Sequence, residues 1–270
     1  MTQPQPKKSD LGVRTLSAIV MVAVAGTSLW LGGWVWTAFV ALVALGVLWE
    51  LWGLMRRYAR SPVVTGLWLT GGLAYVGLAG STLVSLRIEP EPSTLLSLIV
   101  AVIATDVGAY FAGRTIGGPK IAPAISPSKT WAGLVGGALG ATISVYFVAW
   151  LWRHGLCDMW LQPGGPLVVP EGGAPYIIFR FDGPCSGVIA PMGHSIIDSL
   201  FVGPLIAVTA QAGDFFESWI KRRAGVKDSG TLIPGHGGLF DRVDGLIAVS
   251  FAIGAFNIAA LIFLGGGILG

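Results

Sequence analysis

The chain alternates long apolar runs with short polar breaks, and the pattern recurs seven times. The runs lie near 15–32, 34–55, 63–86, 94–112, 131–152, 195–213 and 243–268. Each approaches the ~20 residues that a helix needs to cross hydrocarbon. The first two meet at Gly32-Gly33, which predicts a tight helical hairpin. The third carries Gly71, Gly72, Gly77 and Gly80, small residues that admit close helix approach. The pattern predicts an all-α fold: a polytopic helical membrane protein of about seven or more transmembrane helices, forming one integral membrane domain over residues 1–270.

Composition agrees. Charged residues make up 11% of the chain, under half of the roughly 25% of a soluble domain. The net charge of +3 and pI near 9 raise the question of nucleic acid. The basic residues flank apolar runs, however, so membrane orientation accounts for them and no nucleic acid is expected. The polar start, with Lys7, Lys8 and Asp10, lacks a small-residue cleavage site after a short apolar core. A removable signal peptide is therefore not expected. With the N-terminus inside, 14 of the 17 basic residues fall on the inner side, leaving Arg87, Arg153 and Arg180 outside. The positive-inside rule thus predicts N-in, C-out.

On the outer side, residues 153–194 form a long Gly/Pro-rich loop, a composition that opposes helix. It contains Cys157 and Cys185, which are either bridged, as an oxidising compartment permits, or two unpaired thiols. His154, His194 and Asp198 also belong to that side and stand apart from the candidate site.

Polar chemistry concentrates on the inner side, in segments 113–130 and 214–242, which are expected to be cytoplasmic and catalytic. Asp214, Glu217 and Ser218 share a helix face by their three- and four-residue spacing; the blander reading is a polar helix end with Glu217 paired to Lys221. Cations Lys221, Arg222 and Lys227 follow, with Asp228 beside them. Pro234-Gly235-His236-Gly237-Gly238 is a turn whose exposed amides can cradle an anion, or a plain reverse turn between helices. Asp241 and Asp244, at i and i+3, face one side if the last helix begins nearby, with Arg242 offset between them. Carboxylates so spaced suit Mg²⁺, which is usually shared between one or two carboxylates and substrate phosphates. The expected metal ligands are Asp214, Asp241 and Asp244.

A second group starts at Asp106, a carboxylate following an apolar run, which is a functional candidate by default because it is costly there. The structural alternative is a hydrogen bond to Tyr110 or Thr105. Arg114, Lys120, Ser126 and Lys129 follow, and Ser126 or Thr130 is expected to cap the next helix. Glu50, late in the second run, reads as structural, paired with Arg57 or with another helix.

The run Ser218-x-Ile220-Lys221-Arg222, Lys227-Asp228, Pro234-x-His236-Gly237-Gly238, Asp241-Arg242-x-Asp244 resembles the signature of CDP-diacylglycerol synthases, the phosphatidate cytidylyltransferases. Asp106-x-x-x-Tyr110-x-x-Gly113-Arg114 and Ser126-Pro127-x-Lys129-Thr130 resemble the same family. Ala132 departs from it, because the family usually has Glu there. The resemblance implies cytidylyl transfer from CTP to phosphatidic acid, giving CDP-diacylglycerol and pyrophosphate. It implies Mg²⁺, with room for a second cation, a membrane lipid partner, a homodimer, and residence in a bacterial inner (cell) membrane. Catalytic roles would fall to Asp214, Lys227, Asp228, His236, Asp241, Arg242 and Asp244. Substrate binding would fall to Asp106, Arg114, Ser126, Lys129, Ser218, Lys221, Arg222, Gly237 and Gly238. The rivals are a CTP-dependent polyprenol or dolichol kinase, and a transporter, which would carry its charges near the midplane rather than at one face.

Overall fold

A computed structural model describes residues 11–58, 61–88, 93–151, 196–235 and 237–265. The 153–194 loop with its cysteines and histidines, and His236, lie outside the described residues. Seven helices dominate: α1 Leu11–Leu31, α2 Gly33–Tyr58, α3 Pro62–Ile88, α4 Ser93–Thr115, α5 Trp131–Leu151, α6 Ile196–Arg223 and α7 Phe240–Gly265. All seven are long and apolar enough to cross a membrane. The all-α, polytopic expectation is borne out. One small addition is an antiparallel hairpin between α4 and α5, β1 Lys120–Ala122 with β2 Ser126–Thr130, pairing Lys120 with Thr130 and Ala122 with Ser126.

The helix ends sort onto two faces. At one, α1 turns into α2 through Gly32 and Gly33, at φ 62° and 51°. Arg87, ending α3, donates its Nε to Leu29 O at 3.0 Å, satisfying a carbonyl in the last turn of α1. The turn at Gly32 is closed by that guanidinium, which lies 2.6 Å from where a Cβ would sit. At the other face, Gly235 sits against Arg14 and Val13 at the start of α1. The N-terminal end of α1 and the 233–237 turn therefore share one end of the bundle.

Helix association in lipid depends on close packing rather than on expulsion of water, and glycines supply it here. A Cβ on Gly108 would fall 2.3 Å from Gly136 O, and one on Gly140 would fall 2.5 Å from Ala104 O. α4 and α5 therefore pack backbone to backbone. Gly213 does the same for α6 and α7: its Cβ would meet Asp244 O at 2.7 Å and Ala248 Cβ at 2.5 Å. One apolar cluster, around Trp36, Leu95, Val145 and Ala207, joins α2 to α7. A second, around Val47, Leu51, Met55, Ile220 and Phe240, lies under the polar end.

The sixth span corrects the sequence reading. Its apolar run stops near 213, yet α6 continues to Arg223. Side-chain pairs four apart, Asp214 with Ser218 and Glu217 with Lys221, support the extra turns. The next left-handed residue, Gly225 at φ 70°, comes just after.

Candidate active site at the polar end of the bundle

Two polar clusters form side by side where α6 and α7 meet. The first is built on Lys221, whose Nζ donates to Glu217 Oε2 at 2.6 Å and to Asp241 Oδ1 at 2.5 Å. The Glu217 side chain is 1% exposed and those of Lys221 and Asp241 are 11% and 12% exposed. Asp241 then turns its other oxygen back over its own helix start. Oδ2 accepts from Ser229 N at 2.9 Å, from Gly238 N at 3.0 Å and lies 3.0 Å from Ser229 Oγ. That hydroxyl also lies 2.8 Å from Glu50 Oε2. Its single proton serves one carboxylate at a time.

Glu50 completes the cluster from α2. Its Oε1 accepts from Leu239 N and its Oε2 from Phe240 N, both at 2.9 Å. These amides open α7, so Glu50 caps a helix to which it does not belong. The expected pairing with Arg57 does not occur; the alternative, a tie to another helix, does. The blander reading of Glu217, paired with Lys221, also holds in the geometry.

The second cluster is more open. Lys129, at the end of β2, donates to Asp214 Oδ2 at 2.5 Å, with the side chains 18% and 31% exposed. Ser218 Oγ donates to Asp214 Oδ1 at 3.3 Å. Asp244 lies within electrostatic reach of both Asp214 and Asp106, and Lys129 offsets them. Three carboxylates thus face one ammonium. Close packing at Gly213 brings α7 against α6 and so Asp244 toward Asp214; close packing at Gly108 does the same for Asp106 and the hairpin. Among the described residues no three acidic, histidine or cysteine side chains close into a preformed metal cage. An open set of hard oxygens with excess negative charge still fits Mg²⁺, which keeps positions for water and phosphate.

The three carboxylates expected to share a metal differ in their partners. Asp214 and Asp244 come together and Asp106 joins them; Asp214 meets the side chains of Lys129 and Ser218 and stays partly exposed, while Asp241 Oδ2 is tied to two backbone amides. Asp241 and Asp244 do not act as one face, because Asp241 folds back to cap Gly238 N and Asp244 meets α6. Lys221, expected on phosphate, is neutralised between two carboxylates. Arg222, Lys227, Asp228 and Arg242 are exposed around the site. Arg222 reaches toward Ile125 O in the hairpin. Gly237, at φ 82°, packs beside Asp228 and Asp241, and Gly238 is buried beneath them. Arg114 donates to Tyr110 Oη at 2.9 Å, so the phenol meets Arg114 one turn on. Ser126 is buried. Thr130 Oγ1 accepts from Gly133 N at 3.0 Å and is the cap of α5.

Beside the carboxylates is an apolar cavity of about 460 Å³ lined by Trp68, Gly71, Tyr75, Gly213, Phe216 and Phe251, among others. Aromatic contacts bridge α3 to α6 along it, Trp68 to Trp219 at 5.9 Å and Tyr75 to Phe216 at 5.7 Å. Arg223 stacks over Trp219 at 5.0 Å at the polar end. The wall residues Gly213 and Phe216 flank Asp214 on α6.

A cluster of acidic and cationic side chains at one end of seven membrane-length helices, beside an apolar cavity, defines an integral membrane protein with a polar candidate site. Residues 72–260 match the model of the cytidylyltransferase family. The chain is 32% identical to the phosphatidate cytidylyltransferase of Brucella suis biovar 1, over 96% of this chain and 94% of that protein. It is 30% identical to that of Rickettsia bellii, over 89% and 88%. Against the Haemophilus influenzae phosphatidate cytidylyltransferase it is 32% identical over 73% of this chain and 62% of that one. The chain belongs to the cytidylyltransferase family.

Proposed function

We propose that the protein is a phosphatidate cytidylyltransferase: it joins CTP and phosphatidic acid to give CDP-diacylglycerol and pyrophosphate. The observation that carries this is the placement of the Asp106–Lys129–Asp214–Asp244 cluster beside an apolar cavity at the bundle edge, in a chain whose relatives bear that name. The lipid-kinase alternative has no comparable support.

The lipid phosphate is an anion near neutral pH and needs no strong base. One of its oxygens attacks the α-phosphorus of CTP, the bond from that phosphorus to the bridging oxygen breaks, and pyrophosphate leaves. What the site must supply is alignment and relief of charge. Asp214 and Asp244, with Asp106 near them, would hold Mg²⁺, whose chemistry is to neutralise triphosphate charge; a second cation fits the same excess of carboxylate. Lys129, Arg222, Lys227 and Arg242 gather phosphate oxygens on the exposed side. Ser126 and Arg114 lie on the hairpin side, where the nucleotide would rest. Asp241 positions Lys221 and the Gly237-Gly238 turn instead of binding metal. One acyl chain of the lipid would lie in the aromatic cavity, with its headgroup drawn toward Asp214.

The same reading puts the site in the cytoplasm, where CTP is, with the protein in a bacterial inner membrane and working as a homodimer. The shared end of Arg14 and the 233–237 turn supports a common side for the N-terminus and the site. The test is direct. Purified protein given CTP, Mg²⁺ and phosphatidate should form a cytidine-bearing lipid and pyrophosphate in equal amounts. No cytidine-bearing lipid from folded protein overturns the reading.

A further inference from the structure

Glu50 lies on α2, outside the 72–260 segment that the family model matches. Its neighbours along the helix, Val47, Leu51, Leu54 and Met55, are buried and apolar, and Glu50 itself is 3% exposed. A carboxylate in such a place is very costly unless it is fully hydrogen-bonded. Its partners are neither cations nor members of its own helix. They are Leu239 N, Phe240 N and Ser229 Oγ, all on the far side of the site loop.

Two glycines show that this loop is shaped around the carboxylate. A Cβ on Gly230 would fall 2.3 Å from Glu50 Oε1, and one on Gly238 would fall 2.7 Å from Oε2. No side chain fits at Gly230 while Glu50 stays where it is, and at Gly238 the space is closed by Ser229 Oγ first and then by Glu50 and Gly230 N. The backbone therefore packs directly on the acid. From there the contacts run on. Ser229 and Gly238 hold Asp241, and Asp241 holds Lys221. The start of α7 that Glu50 caps is the same turn that delivers Asp244 to Asp214.

We propose that Glu50 is a positioning residue for cytidylyl transfer, acting through the amides that open α7 and through Ser229 to set where Asp241 and Asp244 stand. It touches no substrate. This rests on the cytidylyl-transfer reading. A positioning role, unlike a purely structural one, changes the turnover of protein that is fully folded. Glu50→Gln keeps the size but turns an amide nitrogen toward donors, so donor meets donor. Glu50→Asp keeps the charge and draws it back by one methylene. Ser229→Ala removes only the shared hydroxyl.

The experiment measures kcat and both KM values for the full-length protein in detergent, alongside its thermal midpoint. In Glu50→Gln kcat should fall at least tenfold while KM for CTP and for phosphatidate each move less than threefold, and Glu50→Asp should recover part of the loss. Ser229→Ala should lower kcat severalfold with little change in melting, and decides the matter if Glu50→Gln does not fold. Wild-type kcat in Ser229→Ala, or in folded Glu50→Gln, overturns the proposal. A wild-type protein that makes no CDP-diacylglycerol fails at the function reading instead, and the two failures are told apart by the wild-type control.

Discussion

The two polar clusters at the end of the bundle contain similar residues and treat them in opposite ways. In Glu50–Ser229–Asp241–Lys221–Glu217 each charge faces a donor or a counter-charge inside the protein, and the acids are nearly sealed from solvent. In Asp106–Lys129–Asp214–Asp244 three carboxylates share one ammonium, and the Lys129–Asp214 pair stays partly open. The first is a clamp: Glu50 and Asp241 are held by backbone amides and Lys221 ties Asp241 to Glu217, whose Oε1 alone in this cluster is left without a hydrogen-bond partner. The second has the same three acids to one ammonium but lies more open to solvent, where a ligand can join it. Acidic residues a few positions apart in one motif thus divide into scaffold and candidate site, and the division follows burial and the loop amides that hold Glu50 and Asp241.

The difference is sharpest between Asp241 and Asp244. Asp244→Asn should lower turnover by about a hundredfold or more, the scale on which loss of a single charge-stabilising group is felt. It should leave the melting temperature unchanged or raised, because it removes one of three like charges. Asp241→Asn should also cost activity, but with a clear drop in melting temperature, since it loosens Lys221 and the Ser229 and Gly238 amides. Activity assays and thermal melts of the two variants, run side by side, check this. Equal thermal behaviour would erase the distinction between the clusters.

Next in size is the clamp's own ion pair. Lys221→Met leaves Glu217 buried beside Asp241 without a cation, and breaking a buried pair from one side costs about 3–5 kcal/mol. Adding Glu217→Leu should return part of that stability, because it removes the more buried of the two orphaned acids while Asp241 keeps its amide donors. Lys129→Met, in the open cluster, should lower stability far less. Chemical or thermal unfolding in detergent gives all three values. If Lys129→Met proves the more damaging to stability, clamp and site have been exchanged.

Orientation carries no large energetic effect but tests where the comparison sits. In a background with Cys157 and Cys185 replaced by serine, a cysteine at Thr231 should resist a membrane-impermeant thiol reagent in intact cells. One at Trp34, at the other end of the bundle, should react. The reverse pattern would place both clusters away from CTP. The smallest effect is at Ala132, in the first turn of α5 after the Thr130 cap. Ala132→Glu should add about 0.3–1 kcal/mol through the helix dipole and leave the Mg²⁺ dependence as it was. A severalfold shift in the Mg²⁺ titration would bring that position into the open cluster.

Much of this was legible from residue order. Hydropathy located all seven spans, because a bilayer demands that length of every crossing helix. The dense polar motif from Ser218 to Asp244 pointed to the polar end of the bundle as the candidate site, because charge at a bilayer edge is rarely idle. What the order concealed was pairing at a distance. Glu50 reads as one acid on an apolar helix, and its partners lie about 180 positions onward. The i, i+3 spacing of Asp241 and Asp244 suggested a shared face, but the first residue of a helix turn is free to fold back onto the amides before it. The extension of α6 past 213 was hidden because its support comes from polar pairs that a hydropathy pattern counts as an end. Asp106 could be flagged as costly, yet only the close contact of Gly108 with Gly136 shows that α4 lies near enough to contribute it.

The central claim is that the open cluster serves cytidylyl transfer to a lipid phosphate. Two parallel reactions with phosphatidate and Mg²⁺, one given CTP labelled at the α-phosphorus and one at the γ-phosphorus, test it most directly. The account predicts α-label in the extracted lipid and γ-label in released pyrophosphate, with both signals lost in Asp244→Asn. Label from the γ-position in the lipid would mean terminal phosphate transfer, and would contradict it.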